Sequence, residues 1–359
     1  MAPAAIWTLG LNKHFGLLRP TAAASSSSAN FPLRAGAGVV SRASTSATMK
    51  AAVCGRYGPP EVLRVCEVRR PSPKPDEVRI RILASAVTAS DIFIRSARVT
   101  ASLQIPFRLM MGLTRPRHPI LGFVFSGVID ETGAQTTRFQ PGDEVYGGTG
   151  FRLGAYAEYR CMIESDSRQH GCLALKPRNL NHEEATAAAY GGLLALQYVD
   201  KGRIQAGDDV LIYGASGTSG TLAVQLAKSR GAHVTAVCST RNIDFVRSLG
   251  ADEVLDYTRV DAPPSGARYA FVLDSVGGLK SSRLKDACKR ALAPGGRYVS
   301  IDDGNLELSS KRLEQLKVLI ESGTVSPIVG AVYLLDDLDE AHRAVGDGHK
   351  RGGVAVRIG

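Results

Sequence analysis

The 359-residue chain has no run of eighteen apolar residues, which argues against a membrane-spanning helix. Its six cysteines, Cys54, Cys66, Cys161, Cys172, Cys238 and Cys288, include no C-x-x-C pair. That scatter reads as reduced thiols of an intracellular protein, not a disulfide framework or a structural zinc knuckle. Acid is missing from residues 1–48, where Lys13, Arg19, Arg34 and Arg42 stand without a single Asp or Glu. No dense Lys/Arg block exists either, so nucleic-acid binding is disfavoured.

The acid-free opening is rich in Ala, Ser and Arg and carries Ser25 to Ser28 in a row. Organelle transit peptides share that composition, and the apolar patches are too short for a secretory core. The expectation is a leader over residues 1–48 that directs the chain to the mitochondrion, with a plastid as the alternative. A disordered tail also fits, as does a cytosolic protein translated from Met49. Without the four leader cations the net charge of +10 falls to +6, from 40 basic and 34 acidic residues. With 44% hydrophobic and 22% charged residues, the whole chain suits a soluble two-domain protein.

From Met49 the pattern is one of short strands: Met49 to Val53, Leu63 to Val68 and Val78 to Ala86. Gly58-Pro59-Pro60 and Pro71-Ser72-Pro73-Lys74-Pro75 separate them. Gly122 to Glu131 and Gly154 to Cys161 read as further strands, so this part is β-rich. Asn181 is placed to cap a helix, with Glu183 and Glu184 in its first turn. Strand and helix then alternate: strand 210–214, helix 219–230, strand 233–238, helix 242–249, strands 253–255 and 269–274, helix 281–292, strand 297–301. That alternation predicts a doubly wound parallel sheet. A helix from Leu313 to Ser322 and strand-like Val325 to Val332 and Gly353 to Ile358 follow, able to return to the β-rich part.

Within the alternation, Val210 to Tyr213 breaks at Gly214, and glycines recur at Gly217 and Gly220 before an apolar helical pattern begins at Leu222. A strand, a tight glycine turn and a helix N-terminus let backbone N–H groups approach a pyrophosphate. Gly214, Ser216, Gly217, Thr218, Ser219 and Gly220 are therefore candidate cofactor residues. The spacing G-x-x-G-x-x-G meets the regular fingerprint only in part.

Seven ordered motifs carry a resemblance: Phe139-x-Pro-Gly-Asp-x-Val-Tyr-Gly147, Gly154-Ala-Tyr-Ala-Glu-Tyr159, Gly214-Ala-Ser-Gly-x-x-Gly220, Leu249-Gly-Ala-Asp252, Asp274-Ser-Val-Gly-Gly278, Pro294-Gly-Gly-Arg297 and Ala341-His-Arg343. Over Met49 to Gly359 the chain resembles the medium-chain dehydrogenase/reductase superfamily, in its zinc-free quinone-oxidoreductase-like branch. The resemblance implies an α/β protein with a GroES-like catalytic domain over 49–180, completed by 309–359. A Rossmann domain binding NADP is implied over 181–308. Relatives insert several tens of residues after the strand ending at Ile301, where this chain has only Asp302 to Lys311. The parallel sheet is therefore expected to be shortened at its last strand, without the dimer that pairs through that edge. The oligomeric state stays open.

Zinc members of the superfamily place a Cys three residues before an Asp and carry a G-H-E triplet. Here Thr88 precedes Asp91, and the triplet reads Gly122-Phe123-Val124. Zinc prefers thiolate and imidazole, so no metal is expected. His118, beside Pro119, reads as a loop residue. NAD sites place an acid after the second strand; here Cys238-Ser239-Thr240-Arg241-Asn242 contains none. Ser239 and Arg241 are expected to hold a ribose 2′-phosphate, which selects NADPH, unless Arg241 merely opens a solvated helix. Tyr257 matches a residue that contacts that phosphate in the resembling branch.

Without a Lewis acid, hydride transfer to a quinone or an α,β-unsaturated carbonyl is easier than alcohol oxidation. Thr88 is the first candidate for a hydroxyl beside the nicotinamide, Tyr57 a second for lining the substrate cleft, and Asp91 reads as structural. Val124 and Leu194 replace an Asp and a Thr of the resembling branch. They favour the rival reading, an NADPH-bound interaction protein with weak or no catalysis.

Overall fold

The computed structural model describes residues 48–98, 101–278, 282–304, 306–348 and 350–359. Residues 1–47, and with them nearly all of the expected leader, lie outside the described residues. Strands β1 (Thr48–Cys54) and β2 (Leu63–Arg69) form an antiparallel pair joined through the Gly-Pro-Pro corner. β3 (Glu77–Ala86) is the longest strand and alternates buried and half-exposed side chains, with Val78, Ile80, Ile82 and Ala84 in the core. α1 (Ala89–Ser96) and α2 (Ala101–Met111) follow. Then come β4 (Val124–Thr132), β5 (Glu144–Gly148), β6 (Tyr159–Ile163) and β7 (Cys172–Leu175).

Asn181 caps α3 (His182–Ala187) in a reciprocal box. Its Oδ1 accepts from Glu184 N at 2.8 Å, and Glu184 Oε2 accepts from Asn181 N at 2.9 Å. A single π-helical turn, Ala188–Gly192, separates α3 from α4 (Leu193–Gly202). Such single turns are frequent at functional sites.

The alternating half contains β8 (Asp209–Tyr213), α5 (Thr218–Ser229), β9 (His233–Cys238), α6 (Ile243–Ser248), β10 (Glu253–Asp256), β11 (Tyr269–Asp274), α7 (Arg283–Arg290) and β12 (Leu292–Ser300). All five strands are parallel, in the order β10-β9-β8-β11-β12. Val210 and Ile212 point into the main core, and Leu211 and Tyr213 into a second core capped by Leu284 and Cys288 of α7. Both faces of the sheet are thus covered, as a parallel sheet requires. Each fully buried Val, Leu or Ile here stabilises the fold by roughly 1.5–3 kcal/mol.

After Ser300 the described chain reaches α8 (Ser310–Glu321) without a sixth parallel strand, so the sheet is shortened and β12 stands at its edge. β13 (Val329–Leu334), α9 (Leu338–Gly346) and β14 (Gly353–Arg357) end the chain. β14 pairs antiparallel with β3 and parallel with β13, giving a second sheet ordered β13-β14-β3-β4-β5-β7, with β6 also on β3. No helix among the described residues is long and apolar enough to cross a membrane.

Candidate active site between the two sheets

The glycine turn leaves β8 at Gly214, whose φ of +82° only glycine adopts freely. A Cβ on Gly220 would lie 2.2 Å from Gly214 O, so the first turn of α5 packs on the strand end by having no side chain there. The N-cap of α5 is Gly217, which supplies no side-chain hydrogen bond. The first N–H groups of this 12-residue helix therefore have no N-cap side chain on them and are able to meet an anion. Ser219 Oγ is engaged with Ser275 Oγ at 2.6 Å.

Ser216, Ser239, Arg241 and Tyr257 gather at the carboxyl ends of β8, β9 and β10, the ligand end of such a sheet. Buried Asn242 joins them: its Nδ2 donates to Ser216 Oγ at 3.1 Å and to Ser239 Oγ at 3.4 Å. Tyr257 N donates to Cys238 O, which sets its half-exposed ring beside the end of β9. The adjacent Asp256 spends its carboxylate on Thr240, Thr258 and Arg259.

Three residues near the C-terminus reach the same place. Gly352 N donates to Ser216 O at 2.9 Å, and Thr218 Oγ1 donates to Gly352 O at 2.9 Å. Lys350 Nζ donates to Thr218 Oγ1 at 2.6 Å, and Arg351 Nε donates to Asn242 Oδ1 at 2.8 Å. Burial pushes the Lys350 ammonium down to about 8, and no described carboxylate forms an ion pair with it. The sequence reading missed Asn242, Lys350 and Arg351. The doublet Lys350-Arg351 among three glycines was the available signal.

Across from the turn, Thr88 caps α1. Its Oγ1 donates to Asp91 Oδ2 at 2.6 Å, while its N donates to the same oxygen at 2.9 Å. Asp91 is fully buried and also accepts from Gly122 N at 3.2 Å. Burial pushes its carboxyl up to about 6, against the pull of the Thr88, Gly122 and Tyr156 donors. The Tyr57 hydroxyl donates to Gly112 O at 2.9 Å, and its ring packs on Phe107 of α2. Val124 and Leu194 are buried among apolar neighbours in the core.

Tyr190, which the sequence reading passed over, touches the Thr88 side through Ser90 and Phe123, and its neighbour Gly191 packs on Thr218 of the turn. Its hydroxyl lies 3.3 Å from Ser90 Oγ. Its ring stands edge-on to Phe123, with centroids 6.0 Å apart. It sits in the π turn, whose Gly191 packs so closely on α5 that a Cβ would fall 2.7 Å from Thr218 O. Burial raises the phenol above its ordinary range, which keeps it protonated at neutral pH.

Thr88, Phe123 and Tyr190 offer two hydroxyls and a hydrocarbon ring where zinc members bring thiolate and imidazole. Among the described residues no three His, Cys, Asp or Glu side chains form a ligand set. This donor set does not fit zinc.

The family description "Alcohol dehydrogenase GroES-like domain" matches residues 74–174, and "Zinc-binding dehydrogenase" matches 220–329 and, in a second form, 304–356. A mouse (Mus musculus) protein named "NAD(P)H oxidoreductase RTN4IP1, mitochondrial" is 30% identical, over 89% of this chain and 92% of its own. The chain belongs to the medium-chain dehydrogenase/reductase superfamily, in its quinone-oxidoreductase-like branch. An Arabidopsis thaliana relative, "NADPH-dependent alkenal/one oxidoreductase, chloroplastic", is 30% identical over 81% of this chain and 74% of its own. The solved quinone oxidoreductase from Coxiella burnetii superposes with a TM-score of 0.75 at 26% identity, covering 87% of this chain and all of that one. As a medium-chain dehydrogenase/reductase the protein is an oxidoreductase, and its two sheets are the GroES-like and Rossmann-like parts of that fold.

Proposed function

We propose that the protein is an NADPH-dependent reductase of quinones or α,β-unsaturated carbonyls that works without zinc. One observation carries the cofactor choice: at the end of β9 the chain offers Ser239, Arg241 and Asn242 with Ser216 beside them, and no acid for a ribose diol. The N–H groups from Gly217 to Gly220 take the pyrophosphate, helped by the α5 dipole and by Lys350. Ser216, Ser239, Arg241 and Tyr257 hold the 2′-phosphate.

When bound, the nicotinamide supplies the hydride. The chain orients the acceptor and keeps water away from it, between Thr88, Phe123 and Tyr190 on one side and the glycine turn on the other. The names of the Arabidopsis and Coxiella relatives support a quinone or enone as acceptor. Calorimetric titration with NADPH and NADH tests the cofactor choice: NADPH is expected to bind at least tenfold more tightly, and equal affinities would overturn it.

The two halves are assigned as 49–180 with 309–359 for the acceptor and 181–308 for the cofactor. The acid-free leader and the mitochondrial relative support import into the mitochondrion. With β12 at the edge of a five-stranded sheet, dimerisation by continuing that sheet is disfavoured.

Buried, apolar Val124 and Leu194 favour a second reading, an NADPH-binding interaction protein. NADPH binding without consumption across a quinone and enone panel would support it.

A further inference from the structure

The mismatch with zinc has a specific replacement. We infer that the Tyr190 hydroxyl does the work of the metal, hydrogen-bonding the carbonyl oxygen of the acceptor and giving it a proton as hydride arrives. This inference rests on the site being one of hydride transfer to a conjugated carbonyl.

Of the two positions where zinc members carry ligands, Phe123 stands edge-on to Tyr190 at 6.0 Å, and Ser90, two residues on from Thr88, lies 3.3 Å from its hydroxyl. Tyr190 sits in the π turn Ala188–Gly192, an irregularity frequent at functional sites. Gly191 presses the same turn on Thr218, so the phenol stands beside the cofactor cradle. Thr88 is a poor alternative because its proton is already donated to Asp91 at 2.6 Å. Tyr190 has its Ser90 contact at 3.3 Å, a longer and weaker bond that a carbonyl oxygen can replace.

The step balances. Hydride from the cofactor forms the new C–H bond at the β-carbon, and the C=C pair shifts so that negative charge collects on the carbonyl oxygen. The Tyr190 O–H bond breaks as that oxygen gains the proton. The phenolate is then reprotonated by water through the Ser90 hydroxyl. Raised above its ordinary range, the phenol is protonated at the start of each cycle.

The test is Tyr190→Phe, which keeps the ring and its Phe123 contact. In full-length protein, kcat for an enone such as a 2-alkenal is expected to fall about 100-fold. The NADPH dissociation constant, the enone KM and the melting temperature should stay within twofold or 2 °C of the parent. Unchanged kcat would overturn the inference and leave the hydride-transfer reading intact. So would an equal loss of NADPH binding and thermal stability, the mark of a purely structural tyrosine. An unmodified protein that binds NADPH but consumes none with any enone or quinone would overturn both.

Discussion

Asp91 gives the most quantitative prediction. Its carboxylate accepts from Thr88 N, Thr88 Oγ1 and Gly122 N in a fully buried position. Asp91→Ala leaves two backbone N–H groups without a partner, Thr88 N in the α1 capping box and Gly122 N, each at about 1–3 kcal/mol. The total at pH 5 is about 4 kcal/mol. The cost depends on pH with a definite sign. Burial raises the folded carboxyl to about 6 from 3.8, so the folded protein holds this proton more tightly than the unfolded chain. The stability this gives is full below about pH 4 and is lost as pH rises to about 6. Parent and variant should therefore differ by about 1.4 kcal/mol more at pH 5 than at pH 8. Urea unfolding followed by circular dichroism at both pH values measures it. A gap that is equal at the two, or larger at pH 8, refutes the reasoning.

Two further substitutions probe the cofactor site. Arg241→Ala should raise the NADPH dissociation constant about 10- to 100-fold, the worth of a charge-assisted hydrogen bond, while NADH changes less than threefold; equal effects on both would show that Arg241 does not read the 2′-phosphate. Gly220→Ala drives a Cβ to 2.2 Å from Gly214 O, so the turn must open. NADPH affinity measured by calorimetry should then drop at least tenfold, and parental affinity would show that the cofactor binds elsewhere.

The parts of this fold legible in the sequence are those set by local chemistry. Gly214 to Gly220, the alternation around them and the short Asp302 to Lys311 connection all give the five-stranded sheet directly. Ends fixed by distant partners were not legible. The helix expected from Leu313 starts at Ser310, because Asp166 Oδ2 accepts from Ser310 N at 2.7 Å across 144 residues. The strand expected from Gly154 begins at Tyr159. Before it, Tyr156 N goes to Leu121 O and Ala155 N to Gly122 O, irregular bonds that hold the Thr88 side of the site together. β12 begins at Leu292, before Pro294-Gly-Gly, because a register shift against β11 absorbs the turn-like residues.

The same distinction governs the site. Gly217, Ser239 and Arg241 are readable because a cofactor strand–turn–helix carries its own pattern. Tyr190 is not, since its partner Ser90 lies a hundred residues away. The Asn242–Arg351 and Thr218–Lys350 pairs likewise join segments more than a hundred residues apart, and only the return of β14 to β3 brings them together.

The most direct test of the whole account is the rate of nicotinamide oxidation by protein beginning at Met49, with NADPH and NADH each offered to a panel of quinones and enones. The account predicts turnover of at least one quinone or enone, with NADPH preferred at least tenfold in kcat/KM. Preference for NADH, or NADPH bound but never consumed, would contradict it.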